Sequence, residues 1–419
     1  MIRFLQLSDI HFLCREETED EYSQMRIRLE EDLHHNIGEQ QIQYILICGD
    51  IADKGKTEEY NRASKFIDNI LQKIGNSENK HFVCVVPGNH DINREVYKKS
   101  MNIIRPILLD ELDNNNNKFL EEVKHKEPDT IKIIYHPLDC FNEFAYKYLS
   151  IDDIAKTLSM DDIALNLNDK NLFWKQKLCL IGDYTINLIG LNSVLTSDEN
   201  DSTCNGDGKH QLFLPFSAYN IPTYENEVNI VMMHHPLDWL LSNEDIKKTF
   251  DDRFKVQLFG HLHRQSSDCK NVIKIFSGAL QPKHNKKDRD KYFPVYNIID
   301  LDIKEDELMI KLNSHKWNGH NFIDYSEESK PYSVQLKPIK KWNSESIIEA
   351  EKDLEEVKTV PIYEIKYMFI NSSKKRSIID TFIPDFKYDP TKSEMANYIL
   401  FLKKVEEKGL FKELLEKLK

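Results

Sequence analysis

Polar residues cluster at the ends of five short apolar runs, and this recurring arrangement constrains the fold most strongly. The runs are rich in Ile, Leu, Val, Met or Phe, which is typical of buried β-strands. The clusters that follow them are Ser8-Asp9-Ile10-His11, Gly49-Asp50, Gly88-Asn89-His90-Asp91, His234-His235-Pro236 and Gly260-His261-Leu262-His263. Helical spacing separates the first three runs, so the order there is β-α-β-α-β. Because ligands bind at the carboxyl ends of strands in such sheets, we expect the clusters to meet where strands of one sheet end.

The clusters supply the side chains of a metal centre. Seven of them are oxygen or nitrogen donors, and none is a thiolate: Asp9, His11, Asp50, Asn89, His234, His261 and His263. This set is enough for two divalent ions and suits Mn foremost, with Fe, Ni or Zn as alternatives. Asp50 is the only carboxylate that stands without another donor in its cluster, so we expect it to bridge the two ions. Two ions about 3.5–4 Å apart stabilise the attacking and leaving oxygens of an in-line displacement at phosphorus and acidify a bridging water.

Two further side chains of the third cluster predict proton transfer. The imidazole of His90 can donate a proton, and the carboxylate of Asp91 can orient that imidazole. For this cluster taken alone, an ordinary polar turn is the alternative interpretation. The joint occurrence of five such clusters at strand ends favours the metal site.

Composition limits the classes of function that fit. The chain has 419 residues, 40% hydrophobic and 30% charged, which predicts one large domain plus a smaller part. A net charge of −13 works against a surface that coats DNA generally, but it leaves room for a local basic groove. Seven scattered cysteines, no targeting signal and no apolar run of about 18 residues predict a cytoplasmic protein that does not enter the membrane.

The order of strand and helix signals predicts how the chain is organised. Two groups of strands within residues 1–340 predict an α/β fold with two sheets packed face to face and helices outside. Residues 92–177 predict a mostly helical insertion over or beside the site, with a passive helical layer as the alternative. Residues 345–419 predict a C-terminal helical module for a protein partner, with a tail wrapped on the main domain as the alternative.

The five clusters together resemble the motifs of the calcineurin-like metallophosphoesterase superfamily, from residue 1 to the strand around Ile299. The resemblance implies a four-layer αββα sandwich that holds two metals. One metal would be bound by Asp9, His11, Asp50 and His263, and the other by Asp50, Asn89, His234 and His261. The resemblance also implies that His90 lies near the leaving-group oxygen, held by Asp91, and that His235 supports the site or faces the substrate.

Departures from one branch of the superfamily point to a substrate class. The protein Ser/Thr phosphatases have Asp-Arg-Gly and Asn-His-Glu where this chain has Asp53-Lys54-Gly55 and Asn89-His90-Asp91. The third motif is more similar to that of the phosphodiesterases and nucleases. We therefore predict a dinuclear phosphodiesterase acting on nucleotides or nucleic acid, with Lys54, Arg94 and His235 as candidates for holding the phosphate. For Lys54 and Arg94, a solvent-facing charge is the alternative interpretation. A phosphomonoesterase or protein phosphatase, or a non-catalytic metal-binding scaffold acting through the C-terminal module, are the alternatives.

Overall fold

The computed structural model describes most of the chain. The described residues are 1–13, 22–36, 41–75, 82–97, 135–148, 173–201, 203, 212–221, 223–224, 226–241, 243–282, 292–336, 378–379, 382–383, 386, 401–402, 404–405, 408 and 410–418. The chain divides into two compact units, Met1–Ile154 with Asp169–Ile339, and Ala155–Asn168 with Lys340–Lys419. None of the helices in the described ranges has the length and apolar character that a membrane span requires.

The larger unit contains thirteen strands within the described ranges. They are β1 Ile2–Leu7, β2 Tyr44–Ile47, β3 Val83–Val85, β4 Phe173–Ile181, β5 Tyr184–Leu191, β6 Glu227–Met233, β7 Val256–Phe259, β8 Ser266–Cys269, β9 Ile273–Phe276, β10 Val295–Lys304, β11 Glu307–Trp317, β12 Phe322–Asp324 and β13 Lys330–Gln335. The α-helices described in the same unit are α1 Ser23–Asn36, α2 Thr57–Lys73, α3 Arg94–Tyr97, α4 Asp139–Tyr146, α5 Phe216–Tyr219 and α6 Asn243–Arg253. Helix α2 lies in the helical spacing between the second and third apolar runs, and Gly75 follows it with φ +78°.

The strands form two mixed sheets. The first has the order β12-β11-β10-β1-β2-β3, with β13 also paired to β11, and the second has the order β4-β5-β6-β7-β9-β8. Strands β1, β2 and β3 run parallel in the first sheet, as do β5, β6, β7 and β9 in the second. Since parallel strands end at the same edge of a sheet, the polar clusters after β1, β2 and β3 share one edge, and those after β6 and β7 share another.

Alternating apolar residues of the strands build four layers. Leu46 of β2 and Ile230 of β6 belong to one buried cluster between the two sheets. On the opposite face of the first sheet, Leu5 packs in a cluster with residues of α1, α2 and α4. On the outer face of the second sheet, Val231 and Phe259 pack with residues of α5 and α6. The predicted αββα sandwich is therefore confirmed, because each sheet buries one face on its partner and the other on helices.

Some boundaries differ from those that the sequence pattern predicts. Strand β4 begins at Phe173, not at Leu178, so the end of the predicted 92–177 insertion belongs to the second sheet. The strand β8 is polar, β12 has only three residues, and β13 is mostly polar, so none of them shows a clear apolar pattern. Backbone pairing to β9 and β11 forms them instead. Most of the predicted insertion falls outside the described residues, and its role over the site stays a prediction.

The smaller unit has an apolar core of its own. Its buried residues are Ile378, Ile379, Ile383, Phe401, Leu402, Val405, Phe411 and Leu414. Its last helix, α7, spans Phe411–Leu418 and lies within the predicted helical module. Much of the predicted 345–419 module lies outside the described residues, so its boundaries and its role in binding a partner stay predictions.

Candidate metal centre

The seven predicted ligands lie at the carboxyl ends of five strands. Asp9 and His11 follow β1, Asp50 follows β2, and Asn89 follows β3 in the first sheet. His234 follows β6, and His261 and His263 follow β7 in the second sheet. The expectation that strands of one sheet supply all the ligands is therefore wrong. The ligands come from both sheets because the sandwich brings the carboxyl ends of its two parallel segments together.

The backbone at the site adopts a conformation that side chains disfavour. Seven non-glycine residues in the described ranges have positive φ, and five of them are predicted ligands: Asp9 (52°), His11 (49°), Asp50 (52°), His261 (71°) and His263 (55°). A left-handed residue with a side chain costs about 1 kcal/mol or more, and such residues concentrate at functional sites. The strained turns therefore lower the local stability of the backbone, and they direct these side chains toward the candidate site.

Two glycines allow the strand ends to approach each other closely. A Cβ atom at Gly88 would lie 2.2 Å from Oδ1 of Asp50, and one at Gly49 would lie 2.6 Å from Nδ1 of His234. Both distances are far below van der Waals contact, so a larger residue at either position displaces a predicted ligand. The Gly-Asp and Gly-Asn pairs of the sequence thus have a steric reason.

The first ligand cluster consists of Asp9, His11, Asp50 and His263, as the resemblance implies. Nε2 of His263 lies 3.1 Å from Oδ1 of Asp9 and 3.3 Å from Nε2 of His11. Nε2 of His11 lies 3.9 Å from Oδ2 of Asp50. The other oxygen of Asp9 is already used, because it accepts hydrogen bonds from the Ser8 hydroxyl at 2.5 Å and from the backbone N–H of His261 at 3.1 Å. Asp9 Oδ1 is thus the oxygen left for an ion.

The second cluster converges on Nε2 of His234. This atom lies 3.1 Å from Oδ1 of Asn89, 3.3 Å from Nδ1 of His261 and 3.4 Å from Oδ2 of Asp50. Nδ1 of His234 lies 2.8 Å from the carbonyl oxygen of Cys48. A hydrogen bond from Nδ1–H to that carbonyl fixes the tautomer and leaves Nε2 as the ligand atom. The resemblance implies the same four residues for the second metal.

The distances within both clusters fit divalent ions. Ligand atoms bound to one ion at about 2.1 Å lie about 3.0–3.4 Å apart in octahedral or tetrahedral geometry. The contacts around His234 Nε2 fall in this range, as do those of His263 Nε2. In addition, Asp9 Oδ1 is buried with Nε2 of His263 3.1 Å away, and an ion bound by both atoms would satisfy this oxygen. Metal binding itself stays a prediction.

The charges of the site hold its carboxylates ionised. Burial alone would raise the pKa of Asp9 and of Asp50, but His263 and His234 lower these two values below their usual range. For His234, burial acts to lower the pKa, but the carboxylates of Asp50 and Asp9 raise it to about 9. Burial and the neighbouring His234 lower the pKa of His261 to about 3. The negative charges of the carboxylates are therefore balanced by protonated imidazoles. A bound metal ion would displace these protons and supply the positive charge instead.

The imidazole of His90 lies beside the clusters, but Asp91 does not hold it. The ring centroids of His90 and His11 are 4.7 Å apart, and the side chain of His90 is 33% exposed. Nδ1 of His90 lies 2.9 Å from the backbone oxygen of Asp53 and 3.6 Å from Oδ1 of the same residue. This corrects the expectation for Asp91, since Asp53 contacts the ring instead. Asp53 has no obvious signal in the sequence beyond its place three residues after Asp50.

The carboxylate of Asp91 organises the loops between the ligands. It accepts hydrogen bonds from the backbone N–H groups of Ile51, Ala52 and Gly88 and from the hydroxyl of Tyr60. It points back to Gly88 because residues Asn89–Asp91 form one turn of 3-10 helix. Burial, together with the charge of Asp50, raises the pKa of Asp91 to about 6. Asp91 therefore ties the second and third strand ends together.

The three candidates for a substrate phosphate are placed differently. His235 is buried with Nδ1 3.0 Å from the Ser193 hydroxyl, and its Nε2 has no hydrogen-bond partner. One ligand atom of His235 lies within 4.8 Å of ligand atoms of His234 and His261, so it supports the second cluster. The side chains of Lys54 and Arg94 are exposed. Phosphate binding by all three stays a prediction.

Comparisons with known proteins agree with this geometry. Residues 2–265 match the family model of the calcineurin-like phosphoesterases. The uncharacterized metallophosphoesterase-like protein YydB of Bacillus subtilis (strain 168) is 25% identical over 331 residues, which cover 76% of this chain. The chain spans 60% of the length of that relative.

Among solved structures, the purple acid phosphatase PPD1 from yellow lupin (Lupinus luteus) is similar with a TM-score of 0.40 and 8% identity, over 82% of this chain and 57% of that one. Vps29 of Chaetomium thermophilum is similar with a TM-score of 0.31 and 8% identity, over 82% of this chain and all of that one. The family assignment depends on the sequence match and not on these structures. The chain belongs to the calcineurin-like phosphoesterase family.

Proposed function

We propose that this protein is a dinuclear-metal-dependent phosphohydrolase that cleaves phosphodiesters, with a nucleotide or nucleic acid as substrate. The observation that carries the proposal is the pair of ligand clusters that share Asp50. Oδ2 of Asp50 lies 3.9 Å from His11 Nε2 in one cluster and 3.4 Å from His234 Nε2 in the other. A carboxylate between two ligand sets is the arrangement that a two-metal site requires.

Two divalent ions, with Mn as the first choice, would supply an acidified water and positive charge for the phosphate oxygens. Other residues of the chain hold the ligands in place through hydrogen bonds. The backbone N–H of His90 donates to Oδ1 of Asp50 at 2.8 Å, which fixes the shared carboxylate. Asp9 is fixed by Ser8, and His234 by the Cys48 carbonyl. Such rigid placement of ligands is worth 10- to 100-fold in metal affinity or activity.

His90 is the proposed proton donor to the leaving-group oxygen. Its Nδ1 is held at the backbone oxygen of Asp53, while its ring lies edge-on to His11 with an interplanar angle of 81°. A protonated His90 with Nδ1–H bound in this way keeps Nε2–H available for the departing oxygen. Partial exposure of the ring allows this proton to be exchanged with solvent after each turnover.

The phosphodiester preference is supported by the third motif. Asn89-His90-Asp91 differs from the Asn-His-Glu of the Ser/Thr protein phosphatase branch, and Lys54 replaces the arginine of the second motif. A cytoplasmic location, and a protein partner bound through residues 345–419, remain part of the proposal.

An assay with Mn²⁺ tests the proposal directly. 4-Nitrophenyl phosphate, bis(4-nitrophenyl) phosphate, cyclic nucleotides, and single- and double-stranded DNA are compared on the full chain. We expect the diesters to have the higher kcat/KM, and a preference for the monoester would contradict the proposal.

A His90 variant tests the catalytic assignment. His90→Asn should lower kcat by about 10²–10⁴-fold while the protein still binds two Mn²⁺. His320→Asn is the matched control, because His320 is exposed and lies outside the ligand clusters. Unchanged turnover in His90→Asn would show that the assignment is wrong.

A further inference from the structure

A pocket of about 300 Å³ adjoins the candidate metal centre on the side of His263. Its walls are formed by His263, Arg264, Gln265, Tyr292, Phe293, Val295 and Tyr325. Nε2 of His263 lies 3.1 Å from Oδ1 of Asp9, so one wall of the pocket is also part of the first ligand cluster. A group bound in this pocket would therefore be next to a phosphate at the metals.

Aromatic rings form the far wall. The rings of Phe293 and Tyr325 meet edge to face, with centroids 5.4 Å apart and an interplanar angle of 70°. Nζ of Lys316 lies 4.3 Å from the centroid of the Tyr325 ring and 5.5 Å from that of Phe293. These contacts restrain both rings, which are only partly buried. Restrained, partly exposed rings form a platform on which another planar ring can stack.

A cationic group lies at the same pocket. Arg264 directly follows the predicted ligand His263, its side chain is exposed, and it forms no ion pair with residues of the described ranges. Its guanidinium offers a planar set of hydrogen-bond donors and a permanent positive charge. The pocket thus combines aromatic faces with hydrogen-bond donors.

We propose that this pocket binds one unpaired nucleobase of the phosphodiester, stacked on Tyr325 and Phe293 and hydrogen-bonded at its acceptor edge by Arg264. This inference rests on the proposed function and narrows it to nucleotides or single-stranded nucleic acid. A volume of about 300 Å³ is at the small end for ligand pockets, so it admits one base and its sugar but not a base pair. Stacking of a base on an aromatic side chain needs an unpaired base.

The test compares two diesters that release the same leaving group. Methyl 4-nitrophenyl phosphate lacks a base, and thymidine 5′-(4-nitrophenyl phosphate) carries one. We expect the Mn²⁺-loaded wild type to favour the thymidine ester in kcat/KM by about tenfold or more. The ratio of the two kcat/KM values is taken on one preparation, so that losses of folded or metal-loaded protein cancel.

Variants of the pocket should change this ratio. Tyr325→Leu removes the stacking ring and should lower the ratio about tenfold, whereas Tyr325→Phe keeps the ring and should preserve the ratio. Arg264→Gln should also lower it. Tyr224→Leu is the control, because Tyr224 is 62% exposed and does not line the pocket. A wild-type ratio near one, or an unchanged ratio in Tyr325→Leu, would overturn the inference.

Direct binding separates this inference from the proposed function. Calorimetry with Mn²⁺-loaded protein compares the affinities for thymidine 5′-monophosphate and methyl phosphate. This measurement of binding does not require turnover. If the wild type hydrolyses no ester but binds the nucleotide about tenfold more tightly, the proposed hydrolysis is wrong and the pocket assignment stands. Equal affinity for the two phosphates would refute the pocket assignment, whatever the activity.

Discussion

Gly88→Ala is the substitution that most sharply links the fold to the metal centre. Gly88 has φ −108° and ψ 176°, which alanine adopts without strain, so any effect comes from the added Cβ atom. That atom would lie 2.2 Å from Oδ1 and 2.3 Å from the backbone N of Asp50. Relief of both contacts requires a displacement of about 1 Å, whereas metal–ligand distances tolerate about 0.2 Å.

The displaced residue, Asp50, carries the carboxylate shared by both clusters, so we expect the binding of both ions to be weakened. A misplacement of about 1 Å at a catalytic site can lower activity by about 100-fold. We therefore expect Gly88→Ala to bind Mn²⁺ more weakly and to lose at least about 100-fold in kcat/KM on bis(4-nitrophenyl) phosphate. Calorimetric titration with Mn²⁺ and initial rates measure the two quantities.

Gly182→Ala is the matched control. Gly182 has φ +59°, and nothing lies within 4 Å of a Cβ atom built there. We expect this variant to lose about 1 kcal/mol in its free energy of unfolding but to retain Mn²⁺ affinity and rate. Wild-type metal affinity and activity in Gly88→Ala would refute the assignment of Asp50 as the shared ligand.

Two other predictions concern the surroundings of the ligands. Asp91→Ala leaves the buried N–H groups of Ala52 and Gly88 without their acceptor, so we expect thermal or urea unfolding to show a loss of about 3 kcal/mol or more. A loss below 1 kcal/mol would contradict this role. Because the pKa of His234 is raised to about 9, Mn²⁺ binding at pH 7.5 should release about one proton, and affinity should fall as pH is lowered. Calorimetry in two buffers of different ionisation enthalpy measures the number of protons released, and a number near zero would contradict metal binding through His234.

The sequence pattern places the candidate ligands at strand ends, and the structure has them there, because strand ends can be read from local signals. An apolar run followed by Gly-Asp or Gly-Asn marks the end of a strand. The glycine also marks a position where a Cβ atom would clash with a neighbouring strand end. The parallel order of β1, β2 and β3 then follows from the helices between them. The meeting of the two sheets at one site is a tertiary feature that local signals do not show. For that reason the expectation that one sheet supplies all the ligands was wrong.

The role of Asp91 could not be predicted from its neighbours. The prediction assigned Asp91 to His90 because a carboxylate beside an imidazole commonly orients it. The 3-10 turn instead directs the carboxylate back to the N–H of Gly88 at 2.8 Å. Asp53 contacts His90 only because the loop after β2 passes the loop after β3, and no periodicity in the sequence indicates that approach.

The aromatic pocket also arises from residues that are distant in the chain. Phe293 precedes β10, Tyr325 follows β12, and Arg264 precedes β8. The strand β12 has only three residues, too few to show a period, so its position beside β11 is known only from the pairing of the two strands. Sites composed in this way are found only once the strand order is known.

The most direct measurement is the crystal structure of the Mn²⁺-loaded protein, with anomalous scattering used to locate the ions. Two peaks about 3.5–4 Å apart are expected, with Asp50 bound to both, His263 bound to one and Asn89 to the other. A single ion that Asp50 does not bind, or two ions that share no carboxylate, would contradict the dinuclear centre on which the proposed hydrolysis depends.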